Sequence, residues 1–181
     1  KFRHRSKKNQ IIYTSKKVKN DDEILNLIDN FLEEKNSFIF ESVEKGKVRG
    51  RYTIIGFNPD KIINIKNNKI IEDNFNRKKL IKQNILNYLN KLLKNFKVKS
   101  PKELPRMSSM LVGYFSYDII RLIEKIPNSC SDDINIPDIR LMRPKNLIIY
   151  DNFKGKIFFI ENIFEDQKIE DYQTEYNKIG N

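Results

Sequence analysis

The sequence predicts an α+β protein with a mixed, mainly antiparallel sheet built from hairpins and flanked by helices. Three observations predict it. β-prone runs come in pairs around turn residues, as at residues 61–66 and 69–73 on either side of Asn67-Asn68. Two stretches carry apolar residues at helical spacing, and the two patterns do not alternate regularly as βαβ units would.

Taken in order, residues 10–14 (QIIYT) form a short strand. Asn20 or Asp21 then caps a helix whose apolar face is Ile24, Leu25, Ile28, Phe31 and Leu32. Residues 37–43 (SFIFESV) read as a strand, 44–50 as a glycine-bearing connection and 51–57 (RYTIIGF) as its partner. The 61–66 and 69–73 hairpin follows, because Asn67-Asn68 tolerates the left-handed conformations a tight turn demands. The longest helix is expected over 77–96, on Leu80, Ile81, Ile85, Tyr88, Leu89, Leu92 and Leu93. A proline-bearing loop at 100–106 leads to a strand at 110–116 and a short helix at 117–125, stopped by Pro127. Residues 128–138 are polar and irregular. Long strands at 139–150 and 156–163 flank a turn, and a polar helix is expected over 165–179.

Composition narrows the function classes. The chain has 181 residues, 39% hydrophobic and 33% charged, enough for one domain with a real core. No apolar run approaches the roughly 20 residues that span a bilayer. A single cysteine, Cys130, forms no internal disulfide, and no charged-then-apolar leader is visible, so a cytoplasmic setting is expected. The net charge of +11 invites a nucleic-acid reading, but its distribution argues against one. Lys1, Arg3, Arg5, Lys7, Lys8, Lys16, Lys17 and Lys19 precede the first acidic residue, Asp21, which leaves the rest of the chain at +3. Residues 1–9 are read as a basic leader, expected to be poorly ordered, and 10–181 as one domain.

Catalytic constellations are scarce. His4 is the only histidine and lies in the leader, so neither a Ser/His/Asp nor a Cys/His set is available in the body. The glycines at 46, 50 and 56 lack phosphate-loop spacing, and Cys130 reads as an inert thiol. Glu33-Glu34 and Asp132-Asp133 sit in polar, solvated contexts. We therefore expect no catalytic residue and no metal ligand in this chain. Two local features stand out. Alternation in SFIFESV sets Glu41 beside Ile39 and Val43 on one face, where it is either a surface glutamate on a half-exposed strand or a carboxylate among core neighbours that needs a cation, with Arg49, Arg51 or a ligand ammonium as candidates. In LVGYFSYDIIRLIEK, Gly113 permits a close approach within a strand, Asp118 is placed to cap the next helix, and Arg121 is its i+3 ion-pair partner.

These same residues carry a resemblance. FIFESVEKGKVRGRYTIIG (38–56), LVGYFSYDIIRLIEKIP (111–127) and DDINIPDIRLM with NLIIYDNFKGKIFFI (132–160) resemble, in order and spacing, the N-terminal domain of anthranilate synthase component I. The likeness spans residues 10–180. It implies a regulatory and scaffolding part of an enzyme that converts chorismate and ammonia to anthranilate and pyruvate in tryptophan biosynthesis. It further implies a chorismate-binding catalytic domain outside these residues, which holds magnesium (Mg2+), and a glutamine amidotransferase partner subunit. L-tryptophan is implied as feedback inhibitor, at positions that match Glu41, Ser42 and Arg51, with Phe38, Phe40 or Val43 as apolar walls. The alternatives are aminodeoxychorismate synthase component I of folate synthesis, or a non-catalytic module that senses an aromatic amino acid. The chain departs from the family at Ser109, Met110 and Ser116, where relatives carry glycines. It departs again at Arg143-Pro144, which implies an edge or a bulge.

Overall fold

Two long strands organise the fold. The computed structural model describes residues 9–18, 22–31, 33–41, 50–127, 129 and 131–165. In chain order these form β1 (Gln10–Lys17), α1 (Asp22–Phe31), β2 (Phe38–Phe40), β3 (Tyr52–Lys66), β4 (Lys69–Asp73), β5 (Lys78–Ile81), α2 (Ile85–Asn95), β6 (Val112–Phe115), a 3-10 helix (Tyr117–Leu122), β7 (Ile139–Asp151) and β8 (Lys156–Ile163). The sheet runs β1-β8-β7-β3-β4-β5, with β2 added to β3 and β6 to β7. The registers of β1 on β8, β2 and β4 on β3, β5 on β4, and β6 and β8 on β7 are all antiparallel. The predicted fold class is the observed one.

The chain divides into two compact units, residues 1–59, 96–110 and 144–181 in the first and 60–95 and 111–143 in the second. β3 and β7 supply residues to both. In the first unit, one sheet face buries Ile54, Leu147, Ile149, Phe158 and Ile160 beneath Leu104, Met107 and Met110 of the proline-bearing loop. The opposite face buries Ile55, Ile148, Tyr150 and Ile157 beneath Ile24, Leu27, Ile28 and Phe31 of α1, and the Phe31 and Phe57 rings lie 4.5 Å apart. In the second unit, Ile63, Ile65, Ile70, Ile139 and Leu141 pack under Ile85 and Tyr88 of α2 and against Ile119 and Leu122. Each such side chain contributes about 1.5–3 kcal/mol when fully buried.

Two expected strands, 51–57 and 61–66, are one. Proline inside a strand removes a ladder donor, which makes Asn58-Pro59-Asp60 read as a break. The outer edge of β3 explains the tolerance: its register with β2 ends at Gly56 and that with β4 begins at Ile62, so Pro59 falls in the interval. β7 repeats the arrangement. Its register with β6 ends at Met142 and that with β8 begins at Asn146, with Pro144 between. β7 is therefore an interior strand, and the edge position inferred from Arg143-Pro144 is corrected. Asn58 adopts a left-handed φ of 48° and donates its side-chain amide to Asn146 Oδ1 at 2.9 Å.

Other boundaries shift for local reasons. The expected helix over 77–96 starts at Ile85, because residues 78–81 pair with β4, Ile70 opposite Ile81 and Ile71 opposite Leu80. Asn84 begins the helix, its Oδ1 accepting from the Asn87 N–H at 3.1 Å. In α1 the packed face is Ile24, Leu27, Ile28 and Phe31, whereas Leu25 is 54% exposed, contrary to expectation. The helix after β6 is of the 3-10 type with Ser116 at its N-cap, so Asp118 is not the cap but lies in the first turn, where it holds Arg121 at 2.9 Å as predicted. The hairpin turn is as expected, with φ of 50° at Asn67 and 58° at Asn68. Asn9, assigned to the leader, is tied to the fold through the Lys97 carbonyl and the Glu165 N–H. Residues 1–8, the Asn20 and Asp21 caps, Leu32 and the helix expected over 165–179 beyond Glu165 lie outside the described residues.

Gly113 meets the close approach its position suggests: a Cβ there would overlap the Arg140 carbonyl and come within 2.9 Å of Leu141 Cα. The obstacle is backbone of an interior strand, which has no rotamer to change. Gly113→Ala is expected to destabilise the protein by about 1–3 kcal/mol, the usual cost of overpacking, read as a lowered urea midpoint. An unchanged midpoint would show that β6 can shift away from β7.

Candidate functional site

The positions singled out around β2 and the start of β3 are supported by a three-residue strand. β2 pairs Phe38 with Gly56, Ile39 with Ile55 and Phe40 with Ile54. The Phe38 ring occupies the space a side chain at residue 56 would fill, which explains that glycine. Phe38 packs into the core under the proline-bearing loop and Ile39 into the core under α1, while Phe40 is half exposed at 4.8 Å from the Phe38 ring.

Glu41 follows immediately and is exposed. The strand ends at Phe40, so the alternation that set a carboxylate among core neighbours stops one residue short of it. Of the two readings of this position the surface one holds: Glu41 is an exposed carboxylate at the end of β2. Ser42, Val43 and Arg49 lie outside the described residues.

Arg51 has a different partner from the one the hairpin suggested. Its Nε donates to Asp151 Oδ1 at 2.9 Å and its Nη2 to Asp151 Oδ2 at 2.6 Å, a two-point ion pair across 100 positions of sequence. The guanidinium also lies 4.9 Å from the Tyr52 ring centre and 5.6 Å from that of Phe153. Around it the Asn152 N–H donates to the Arg51 carbonyl at 2.8 Å, and the Asn152 side chain donates to the Gly50 carbonyl. The β7–β8 turn and the start of β3 are thereby clamped together.

Asp151 is fully buried. Burial pushes its carboxyl up, but the Arg51 hydrogen bond, the Lys154 N–H and the charges of both residues outweigh that push and hold it below the usual carboxylate range. Asp132, at the surface, is also lowered, chiefly by its hydrogen bond from Lys66 and then by the Asn135 N–H. Tyr88 goes the other way: burial, then the 2.6 Å hydrogen bond it donates to Glu72, raise its hydroxyl above the ordinary tyrosine value.

The buried charges were not visible locally. Asp60 holds Arg143 through two bonds of 2.8 and 2.5 Å, Glu161 lies beside Lys145 at 2.7 Å, and each partner is a distant residue of another strand. Asp60 beside a proline and Glu161 in KIFFIENI are the faint signals, since a charge inside an apolar run needs a partner. Of the expected surface carboxylates, Glu33, Glu34 and Asp133 are exposed, as is Asp132. His4 and Cys130 lie outside the described residues, and among those described no three of His, Cys, Asp and Glu gather to hold a metal ion. No described helix is long and apolar enough to cross a membrane.

The Asp151 pair has a pH consequence of fixed sign. A carboxyl lowered on folding stabilises the protein above its unfolded value, about 3.9, and that contribution is lost as pH falls through the folded value below it. Asp151→Asn is therefore expected to lower stability at pH 7 and to flatten the fall in stability below about pH 4, read from urea unfolding between pH 2.5 and 7. An equally steep acid fall in the variant would place the titration elsewhere.

Three comparisons bear on this arrangement. A family profile described as chorismate binding enzyme matches residues 35–179. Anthranilate synthase component 1 of Acetivibrio thermocellus is 34% identical over 147 residues, which cover 81% of this chain and 30% of that protein. The same component of Cereibacter sphaeroides is 31% identical over 154 residues, covering 82% and 31%. The crystal structure of anthranilate synthase component I from Streptococcus pneumoniae shares the fold, with a TM-score of 0.59 at 23% identity over 85% of this chain and 33% of that one. The chain spans about a third of the length of the curated relatives it matches. With most of its length matched by that profile, and with its antiparallel sheet shared by a solved relative, the chain belongs to the family of chorismate-binding enzymes.

Proposed function

We propose that these residues are the N-terminal regulatory part of an anthranilate synthase component I. The whole protein converts chorismate and ammonia to anthranilate and pyruvate, with ammonia delivered from glutamine by an amidotransferase subunit. The 34% identity to a protein of that name over 147 residues carries the reading. The proposal places the chemistry, and the magnesium it uses, in a chorismate-binding domain outside these 181 residues. It assigns this chain no catalytic residue.

In this reading L-tryptophan binds at Glu41, Ser42 and Arg51. An amino acid presents an ammonium, a carboxylate and an indole N–H, which suit a carboxylate, a cation and a hydroxyl. Exposure of Glu41 supports the assignment, since a surface carboxylate can be reached by a ligand ammonium. Arg51 directs Nε and Nη2 at Asp151, so a ligand carboxylate would take the remaining edge of the guanidinium. Inhibition requires tryptophan to favour one arrangement of the regulatory and catalytic parts over another.

The test uses the complete protein supplied with ammonium, with anthranilate read by its fluorescence. Glu41→Ala and Ser42→Ala are each expected to leave the uninhibited rate within about twofold and to raise the half-inhibitory tryptophan concentration about tenfold or more, within the range of ordinary allosteric couplings. Variants as tryptophan-sensitive as the parent would overturn the site. An aminodeoxychorismate product in place of anthranilate would move the whole reading to the folate branch.

A further inference from the structure

The β7–β8 turn holds Arg51 at both ends. Asn152 takes the backbone: its N–H donates to the Arg51 carbonyl at 2.8 Å and its side-chain amide to the Gly50 carbonyl at 3.3 Å. Asp151 takes the guanidinium, accepting from Nε at 2.9 Å and from Nη2 at 2.6 Å. The turn is itself fixed, since the Lys154 N–H donates to the Asp151 carbonyl at 3.1 Å and to Asp151 Oδ1 at 3.2 Å, and the Val18 N–H donates to the Gly155 carbonyl at 2.9 Å.

The two kinds of contact do different things. The Asn152 bonds alone tie the turn to the residues that lead into β3. A buried carboxylate gives up water for its contact, and such an ion pair adds little net stability over an apolar pair of similar shape. What a carboxylate does that an apolar side chain cannot is set the orientation of a guanidinium, because the two-point contact is planar and directional. The side chain of Asp151 is 2% exposed and that of Arg51 25%, so the pair is covered on the carboxylate side and reaches solvent on the cation side.

This orientation leaves a defined edge of the guanidinium unused. Asp151 engages the Nε and Nη2 groups, and Arg51 makes no further hydrogen bond among the described residues. The Nη1 N–H groups and the second N–H of Nη2 therefore remain for another two-point contact with a planar acceptor. The Tyr52 and Phe153 ring centres lie 4.9 and 5.6 Å from the guanidinium carbon, which restricts the rotation of the group.

A fork held on one edge and unused on the other is built to read a second carboxylate. The Arg51–Asp151 pair is neutral as a whole, so its attraction for an anion at a distance is small and recognition rests on the aimed N–H groups. We propose that Asp151 is a positioning residue of the tryptophan site: by holding the Nε edge of Arg51 it aims the Nη1 edge at the ligand and makes the site select an aromatic ligand with a free carboxylate over its amide. The inference rests on the functional reading above and adds to it the residue that sets ligand selection.

The complete protein supplied with ammonium tests it, with L-tryptophan and L-tryptophanamide as inhibitors and anthranilate fluorescence as the readout. The quantity compared is the ratio of the two half-inhibitory concentrations, which a lower amount of folded enzyme does not change. Asp151→Asn keeps the shape of the side chain but presents an N–H where the guanidinium needs an acceptor. Its preference for tryptophan over the amide is expected to fall about fivefold, within the usual gain from an immobilised side chain. Arg51→Lys, which retains the charge without the fork, is expected to lose the preference to a similar extent and serves where Asp151→Asn does not fold. Equal weakening of both ligands in Asp151→Asn would reduce Asp151 to a structural tie, and tighter tryptophan inhibition would show that it screens the cation rather than aims it. Either result overturns the proposal, as does an Arg51→Lys protein with the parent's preference, while weakened inhibition in Glu41→Ala keeps the functional reading standing. A parent protein that forms anthranilate but ignores tryptophan overturns the tryptophan site first, and this inference with it.

Discussion

Arg143 and Asp60 meet through two hydrogen bonds with 9% and 12% of their side chains exposed, at the point where both central strands carry a proline. The pair does what the backbone there does less well. Pro59 and Pro144 each lack an N–H, and on the outer edges of β3 and β7 the ladder partners change at those same positions, from β2 to β4 and from β6 to β8. A two-point guanidinium–carboxylate contact is directional enough to hold a register where ladder bonds are few. It also reaches beyond the strands. The Arg143 charge acts on the Tyr88 hydroxyl of α2, which is hydrogen-bonded to Glu72 of β4, so strand pairing and helix placement share one polar network. A buried pair of this kind need not add net stability, since both ions give up water, but removing one partner strands the other.

The sequence carries the fold where local chemistry decides, and fails where a distant partner does. Asn67-Asn68 dictates its own turn, and Gly113 declares a close approach that the Arg140 carbonyl then makes. β3 appears broken in the sequence because Pro59 forbids a continuous ladder, and only the change of partner strand shows why it is tolerated. Leu80 and Ile81 fit a helical period as well as a strand, and their pairing with Ile71 and Ile70 decides for the strand. The same division runs through the candidate site. Arg51 could be picked out as a functional cation, but its pairing to Asp151, 100 residues away, had no local trace. For Glu41 alternation left a core and a surface position both open, and the end of the strand at Phe40 decides for the surface.

Exposure leaves the Glu41 carboxylate, just past the end of a three-residue strand, open to solvent. Arg51, just before β3, is pinned by Asp151 and flanked by Tyr52 and Phe153. β2 is tied to both cores of its unit through Phe38 and Ile39.

The claim on which this account turns is that Asp60 and Arg143 act together to fix β3 against β7. A double-mutant cycle in urea unfolding tests it, with Arg143→Met, Asp60→Asn and the two combined. Each single change is expected to cost about 3–5 kcal/mol, because it strands a buried charge or polar group, and the double variant to cost clearly less than their sum, with a coupling of about 1 kcal/mol or more. Small, additive effects would contradict the account and leave the register of the two strands to the apolar cores on either side.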